Sequence, residues 1–363
     1  MRDYSRFRVE GYPIRHRKKD LPFNPNLIVD SESRSLMKVI DDMDRELGGF
    51  ILSSDDYKEL VEDAYASNIH WSTKIEGNRL TLEEVRELTN MYSSGKGMES
   101  PNGPKQEILN HLHQMFSERF ALPWNLDTVL DVHKVLMNGV SDVTPGFIRE
   151  HPVSVVGTDD VEYFIACPAE HVKGELESLI DWVNTSPFPS IVTSTIFFHE
   201  FESIHPFPDG NGRTGRTLFQ MLLQEYGLPN CHLCKFEERL LSDKRTYYDL
   251  LAYTDATGCY TQLVSYIVDS LYDAYSEAVE LFGSRDRLRE YDENSKSLAR
   301  MARHEKKFTL TDACRWYNIG EQAMRSRLNQ LVEDGILRKD GKTSGMRYVF
   351  NDPFDGLRSM IDL

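Results

Sequence analysis

Between residues 31 and 283 the apolar side chains recur every three or four positions, stripe after stripe, and that period restricts the chain to packed amphipathic helices. Leu36, Val39, Ile40, Met43 and Leu47 predict a first helix over 31–47, closed by Gly48-Gly49. Leu60, Val61, Ala64, Tyr65 and Ile69 predict a second over 53–71, running out toward Gly77-Asn78, residues suited to a left-handed cap. Thr81 with Glu84 three residues on has the form of a capping box for a third. Further stripes fall over 108–120, 126–137, 170–183 and 191–204. Residues 93–104, with five Gly or Pro, read as a loop. One segment breaks the helical period: Val153 to Val156, then Gly157 and Asp159-Asp160, then Tyr163-Phe164-Ile165, a β-hairpin among helices. The first 30 residues keep no period and predict an extended arm lying over the body.

Residues 284–296 are densely charged and predict a helical linker. Beyond it, 308–317 and 321–334 read as two short helices across a turn at Gly320, and Ile336-Leu337 and Arg347 to Phe350 as two strands. That order is a winged helix-turn-helix pattern. The expected division is therefore an arm and helical region over 1–100, a core over 105–283, a linker over 284–300 and a small winged-helix-like domain over 301–363. The fold class is mainly α.

Lys plus Arg number 42 against 58 Asp plus Glu, a net charge of -16, which argues against a surface that grips a polyanion over a wide area. Within that average, residues 285–350 hold 15 basic and 10 acidic residues, about +5. Arg325 and Arg327 on the second short helix, with Lys339, Lys342 and Arg347 on the wing, are compatible with DNA phosphate contacts. Few aromatic or Asn/Gln base readers accompany them, which favours protein recognition over DNA. Five cysteines, an odd number, and no apolar signal-type stretch after Met-Arg-Asp predict a reducing, cytoplasmic location. No run approaches the roughly 20 apolar residues that span a bilayer, so no membrane partner is expected.

The chemistry concentrates in His205-Pro206-Phe207-Pro208-Asp209-Gly210-Asn211-Gly212-Arg213-Thr214-Gly215-Arg216, followed by the apolar helical face Leu218, Phe219, Met221, Leu222, Leu223. Gly210-Asn211-Gly212 turns backbone N–H groups toward one point at a helix N-terminus, a ready anion site for which phosphate is the natural occupant. Arg213 and Arg216, three apart, have forked donors for further phosphate oxygens. Asp209 beside that positive cluster suits a Mg²⁺ shared with the same phosphates. His205 titrates near neutrality and suits a general base toward an attacking hydroxyl. Phe207 is expected to point inward as the loop's anchor.

This stretch resembles the signature of Fic-domain proteins, His-x-Phe-x-Asp/Glu-Gly-Asn-Gly/Lys-Arg-x-x-Arg, at every fixed position. The resemblance covers about half the chain, from near Lys105 to Gly283, and implies a Fic helical bundle in which the 153–165 hairpin is the flap that receives the target. It implies a protein adenylyltransferase that moves AMP from ATP to a Tyr, Thr or Ser hydroxyl and releases pyrophosphate. His205 would be the base, Asp209 the Mg²⁺ ligand, Gly210, Asn211 and Gly212 the phosphate cradle, and Arg213 and Arg216 its completion. Gly212, where the phosphotransferase branch has Lys, favours nucleotidyl transfer. Tyr247 and Tyr248 resemble the aromatic pair beside adenine or ribose, although the segment 231–242 before them is a few residues longer than typical. Ser72-Thr73-Lys74-Ile75-Glu76-Gly77 resembles the family's inhibitory motif, which implies that Glu76 pairs with Arg216 and displaces the γ-phosphate. The same resemblance carries self-modification, a homodimer and removal of AMP from a target as further activities or partners. The reading from another class is a nucleotide-sensing DNA-binding regulator.

Cys231-His232-Leu233-Cys234 has half a zinc site's spacing without a second pair to close it, and reads as thiols. His111 and His113, two apart on one helix, point to different faces and read as ordinary histidines. His199 reads as packing or loop support.

Overall fold

A computed structural model describes every residue except 1, 26, 97–102, 118–120, 141–143, 158–159, 288–290, 305–306, 342–344 and 362–363. The expected loop at 93–104, the helix end at 118–120, Asp159 of the hairpin turn and Lys342 of the wing fall wholly or partly outside the described residues.

The chain begins with a two-residue strand, β1 (Ile14–Arg15), followed by α1 (Ser31–Gly49), α2 (Ser54–Lys74), α3 (Leu82–Ser93), α4 (Pro104–Phe116) and α5 (Leu126–Met137). Local chemistry sets these boundaries. Asp30 and Ser53 accept from the backbone N–H groups of Ser33 and Asp56 at the starts of α1 and α2. Thr81 and Glu84 form the expected capping box of α3, and Asn125 with Thr128 forms another at α5. The hairpin follows as β2 (Ser154–Val156) and β3 (Glu162–Ile165). Then come α6 (Ala169–Thr185), α7 (Ser190–Ile204), α8 (Asn211–Tyr226), α9 (Phe236–Leu241), α10 (Lys244–Thr257) and α11 (Thr261–Ser284).

The main core is organised around α7, whose Ile191, Val192, Ile196, Phe197, Phe198, Phe201 and Ile204 are all buried. A helix buried on nearly every side, polar positions included, lies inside the bundle, and α7 packs between α6 and α8. The end of α7 is therefore held rigidly from all directions. No helix of the described residues is long and apolar enough to cross a membrane.

Several sequence expectations are corrected. The arm is not merely extended: β1 adds to the hairpin in parallel with β3, with Ile14 opposite Phe164 and Arg15 opposite Ile165, giving the order β1-β3-β2. Beyond β1 the arm is docked by buried polar contacts. His16 joins Glu175 and Ser203, each at 2.9 Å, and Lys19 pairs with Glu200 at 2.8 Å. The segment 284–296 is not one helix, because α11 ends at Ser284 and, among the described residues, the next helix is α12 (Glu293–His304). Between them Ile51 donates to Asp286 and accepts from Arg287, which pins the chain.

A second core gathers Leu298, Ala299 and Ala302 of α12 with residues of α13 (Leu310–Tyr317), α14 (Glu321–Glu333), β4 (Leu337–Asp340) and β5 (Arg347–Phe350). Asn318 in the left-handed region turns the chain between α13 and α14, β4 and β5 pair antiparallel, and Phe308 bridges Tyr348. The last helix, α15 (Asp355–Ile361), leaves this unit. Phe354 and Leu357 join the main core, with the Phe354 ring 5.2 Å from that of Phe116 on α4.

Candidate active site

Helix α7 ends at His205, which takes the left-handed conformation (φ 52°, ψ 63°) that turns the chain into the loop. Its Nδ1 lies 3.1 Å from the Glu202 carbonyl, an acceptor only, so Nδ1 carries the proton and the Nε2 lone pair is the one presented. Burial holds the imidazole below its ordinary pKa, against the opposing carbonyl contact. A neutral ring with an available Nε2 is a proton acceptor.

The loop after His205 is fixed from beneath. Phe207 is fully buried and stacks on His133, ring centroids 3.6 Å apart. His133 accepts from Gly146 N–H through Nδ1 at 2.8 Å and donates to the Asp209 carbonyl through Nε2 at 3.0 Å. That neutral tautomer agrees with burial pushing its pKa down to about 4. Gly210 sits at φ 81°, and a Cβ there would strike the Met137 thioether. Asn211, expected in the cradle, turns its side chain back: its amide accepts from Phe207 N–H and donates to Phe207 C=O, both at 2.8 Å. Only its backbone can face a ligand, so its side chain is the loop's clasp.

Arg149 was not foreseen, because all its partners are main-chain carbonyls, which leave no pairing pattern in a sequence. It donates to His205 O and His151 O at 2.7 Å, to Ile204 O at 3.1 Å and to Cys167 O. One guanidinium thereby joins the base of the hairpin to the end of α7.

The two loop arginines are brought near the cradle but turned to different acids. Arg213 holds Glu107 at 2.6 Å and Asp209 at 2.9 Å. Arg216 donates Nε to Ser72 Oγ and Nη2 to both Ser72 O and Glu76 Oε1, each at 2.8 Å. Glu76 reaches this position because residue 212 is Gly: a Cβ there would collide with Glu76 Oε1 and lie 2.9 Å from Arg216 Nη1. Burial alone would raise the Glu76 carboxyl, but the charge and hydrogen bond of Arg216, joined by Arg213 and His205, together outweigh it and hold the group below its ordinary value.

Two further carboxyls face Arg216 that sequence reasoning missed. Burial pushes Glu202 up to about 8 and Glu237 up to about 7, in both cases against the attraction of Arg216. Glu237 lies 3.8 Å from Arg216 Nε and comes from α9, within the longer 231–242 segment. Buried polar atoms without a hydrogen-bond partner among the described residues also gather here: Arg213 Nε, Thr214 Oγ1, Glu202 Oε1 and Glu237 Oε2. Native interiors leave few such atoms, so their clustering marks a polar site.

Asp209 keeps its carboxylate at the mouth, 44% exposed, with Oδ1 accepting from Gly210 N–H and Arg213. One half-exposed carboxylate beside a phosphate cradle fits Mg²⁺, which takes one or two protein carboxylates plus phosphate oxygens.

The aromatic pair divides. Tyr247 is buried against Phe198, while Tyr248 is 43% exposed with Lys244 Nζ 5.6 Å over its ring. Successive helical residues point about 100° apart, and although the two rings touch with centroids 5.1 Å apart, Tyr247 belongs to the core and Tyr248 to the surface. His111 is buried and pushed down to about 3 by burial, with Arg213 and Arg216 adding to it. His113 meets the Tyr92 hydroxyl at 3.2 Å. His199 lies between Glu200 and Asp255, whose charges raise its pKa despite burial. Cys231 and Cys234 are buried. On the C-terminal unit Arg325 pairs with Glu321, Arg327 with Asp292, and Lys339 with Asn329, so these cations are turned to partners within the chain.

Residues 123–223 match the family model described as the Fic/DOC family. Curated relatives include "Protein adenylyltransferase fic-1" of Caenorhabditis briggsae, 25% identical over 211 residues, covering 56% of this chain and 40% of that protein. "Protein adenylyltransferase Fic" of Nematostella vectensis is 25% identical over 252 residues, covering 67% and 54%. That of Drosophila willistoni is 30% identical over 184 residues, covering 46% and 34%. The chain thus spans about half or less of the length of the curated relatives it matches. Among solved structures, a Fic family protein from Desulfovibrio desulfuricans G20 superposes with a TM-score of 0.59 at 24% identity, covering 90% of this chain and 98% of that one. Fic-1 (residues 134–508) from C. elegans gives 0.52 at 19%, covering 70% and 74%. The loop from His205 to Arg216 falls inside the matched span, and the chain carries a Fic/DOC-family domain in a mainly helical fold shared with solved Fic-family proteins.

Proposed function

We propose that this chain is a protein adenylyltransferase, transferring AMP from ATP to a Tyr, Thr or Ser hydroxyl of a protein and releasing pyrophosphate, and that Glu76 holds the activity down. The observation that carries the reading is a neutral His205 presenting Nε2 beside a helix-start cradle whose arginine is occupied by an acid from the turn after α2.

His205 Nε2 accepts the proton of the target hydroxyl as its oxygen attacks the α-phosphorus. The bond from that phosphorus to the bridging oxygen breaks, and pyrophosphate leaves with the electron pair. The backbone N–H groups of residues 210–212 and the start of α8 supply fixed positive potential to the phosphates. Asp209 would hold Mg²⁺ against the phosphates, and the ion would neutralise their charge. Arg213 steadies Asp209, and Arg216, once released from Glu76, is the group able to clamp the terminal phosphate. Tyr248 is the aromatic face open to the nucleoside.

The target segment adds as a strand to the hairpin. One edge of β3 is taken by β1 and the other by β2, which leaves the outer edge of β2, where Val155 and Val156 are exposed, to receive a peptide. The target, the choice among hydroxyls, self-modification and a dimer belong to this proposal. A second reading is favoured by the position of Glu76 against Gly212. A carboxylate lodged in the cradle can orient water toward an AMP-bearing side chain, so removal of AMP is the same site run with Glu76 as base. The test is incubation of wild type, Glu76→Gly and His205→Ala with labelled ATP and Mg²⁺. Label on protein in Glu76→Gly and none in His205→Ala is expected, and no label on any protein in a lysate with Glu76→Gly would sink the transferase reading.

A further inference from the structure

Where the two cores meet lies a cavity of about 280 Å³, away from the Fic loop. Its walls carry Arg45 and Gly48-Gly49 from the end of α1, Asn230 from the segment after α8, and Arg300 and Arg303 from α12. In a chain of net charge -16, three arginines line one cavity, and among the described residues no carboxylate lines it.

Arg303 is the fixed member. It donates to Gly48 O at 2.9 Å and Phe50 O at 3.1 Å, and its guanidinium lies over the rings of Tyr57 and Phe350. The negative end of α1 is thereby already capped. Arg300, three residues earlier on the same helix face, is exposed. Arg45 is exposed on the opposite wall, where it pairs with Asp42 at the surface. The nearby Asp44 is turned inward, accepting from Tyr275 at 2.6 Å and from Asn230 at 3.0 Å, so its charge does not face the cavity. The wall is also shaped closely, since a Cβ on Gly48 would come within 2.7 Å of Asn230 Nδ2.

We propose that this cavity binds a compact phosphate-class anion, inorganic phosphate or pyrophosphate, between Arg45 and Arg300, with Arg303 as its floor. The volume lies at the lower end of small-molecule pockets and suits such an ion better than a larger ligand. Forked guanidiniums from two facing helices are the arrangement that phosphate oxygens favour. A bound anion ties α1 to α12 beside the start of α2, where Ser54 N–H already bonds Gly335 O of the C-terminal unit at 3.2 Å.

The test is calorimetric titration of the full chain with sodium pyrophosphate and, separately, sodium phosphate, in an Arg216→Ala background that removes the phosphate clamp of the Fic loop. Binding of at least one of the two anions, weakened about tenfold or more by Arg45→Gln with Arg300→Gln, is expected. Arg300→Lys, which keeps charge but not the fork, should weaken it less, and it serves if the double variant fails to hold the parent's thermal midpoint. No binding up to about 10 mM of either anion, or binding unchanged by these substitutions, would overturn the proposal.

Discussion

Arg216 and Glu76 stand 140 positions apart in the chain and 2.8 Å apart in space. Ser72, one helical turn before Glu76, contributes both its hydroxyl and its carbonyl to the same guanidinium. Three of Arg216's hydrogen bonds are thus spent on the last turn of α2 and the turn that follows it, so a phosphate that wants Arg216 competes with both.

Removing the acid should release the arginine. A charge-assisted contact of this kind is worth about 1.5–3 kcal/mol, so Glu76→Gly is expected to raise AMP incorporation by about 10- to 100-fold. Ser72→Ala removes one neutral acceptor and leaves Glu76 in place, so a rise of only a few-fold is expected. Initial rates with labelled ATP check both, and equal rates for the two variants would contradict a hold centred on the carboxylate.

Arg149 is expected to be irreplaceable by Lys. Its fork reaches four carbonyls on three segments, and an ammonium cannot copy that geometry. Arg149→Lys should lower unfolding free energy by about 2–3 kcal/mol and speed amide exchange across β2 and β3. Chemical denaturation with hydrogen exchange measures both, and wild-type protection in the hairpin would show that Arg149 does not brace it.

The docked arm should be structural. Lys19→Met takes one of two cations from the buried carboxylate of Glu200 and leaves His199, so a loss of about 1.5–3 kcal/mol is expected, the worth of a hydrogen bond to a charged group. A thermal midpoint within a degree of wild type would show the arm to be loosely held.

Glu202 gives the protein a pH dependence of defined sign. Its carboxyl moves from an ordinary 4.5 to about 8 on folding, so between those values the folded chain holds a proton that the unfolded chain has released. Stability should therefore fall as pH rises from about 5 to 8. Glu202→Gln cannot ionise, and should flatten that fall and gain about 2 kcal/mol relative to wild type near pH 8.5. Urea midpoints at pH 5.5 and 8.5 test it, and parallel pH profiles for the two proteins would rule out Glu202 as the cause.

Much of the helical order could be read directly because it is local. The stripes over 31–47, 126–137 and 191–204 became α1, α5 and α7 within two residues, and the Thr81–Glu84 box caps α3 as its spacing implies. The Fic loop was legible for the same reason, since His205, Asp209, the glycines and both arginines lie within one turn and the start of one helix. What stayed hidden depends on distant partners. β1 is two residues long and has no alternation of its own, so only the edge of β3 makes it a strand. Arg149 reads carbonyls, which every residue carries. The side chain of Asn211 turned from cradle to clasp because Phe207 offers both halves of a paired hydrogen bond.

By itself, then, the amino-acid order determined the period of the helices, the hairpin among them, and a twelve-residue loop with the groups for phosphate chemistry. Tertiary structure alone decided which charges meet. It set Arg213 against Glu107, gave Arg216 the contacts to Ser72 and Glu237 beside the Glu76 that the motif had implied, gave Tyr247 to the core and Tyr248 to the surface, and placed Glu202 and Glu237 where burial raises them. Periodicity and capping are decided within a helical turn, whereas the energy of a buried charge depends on what the rest of the chain packs around it.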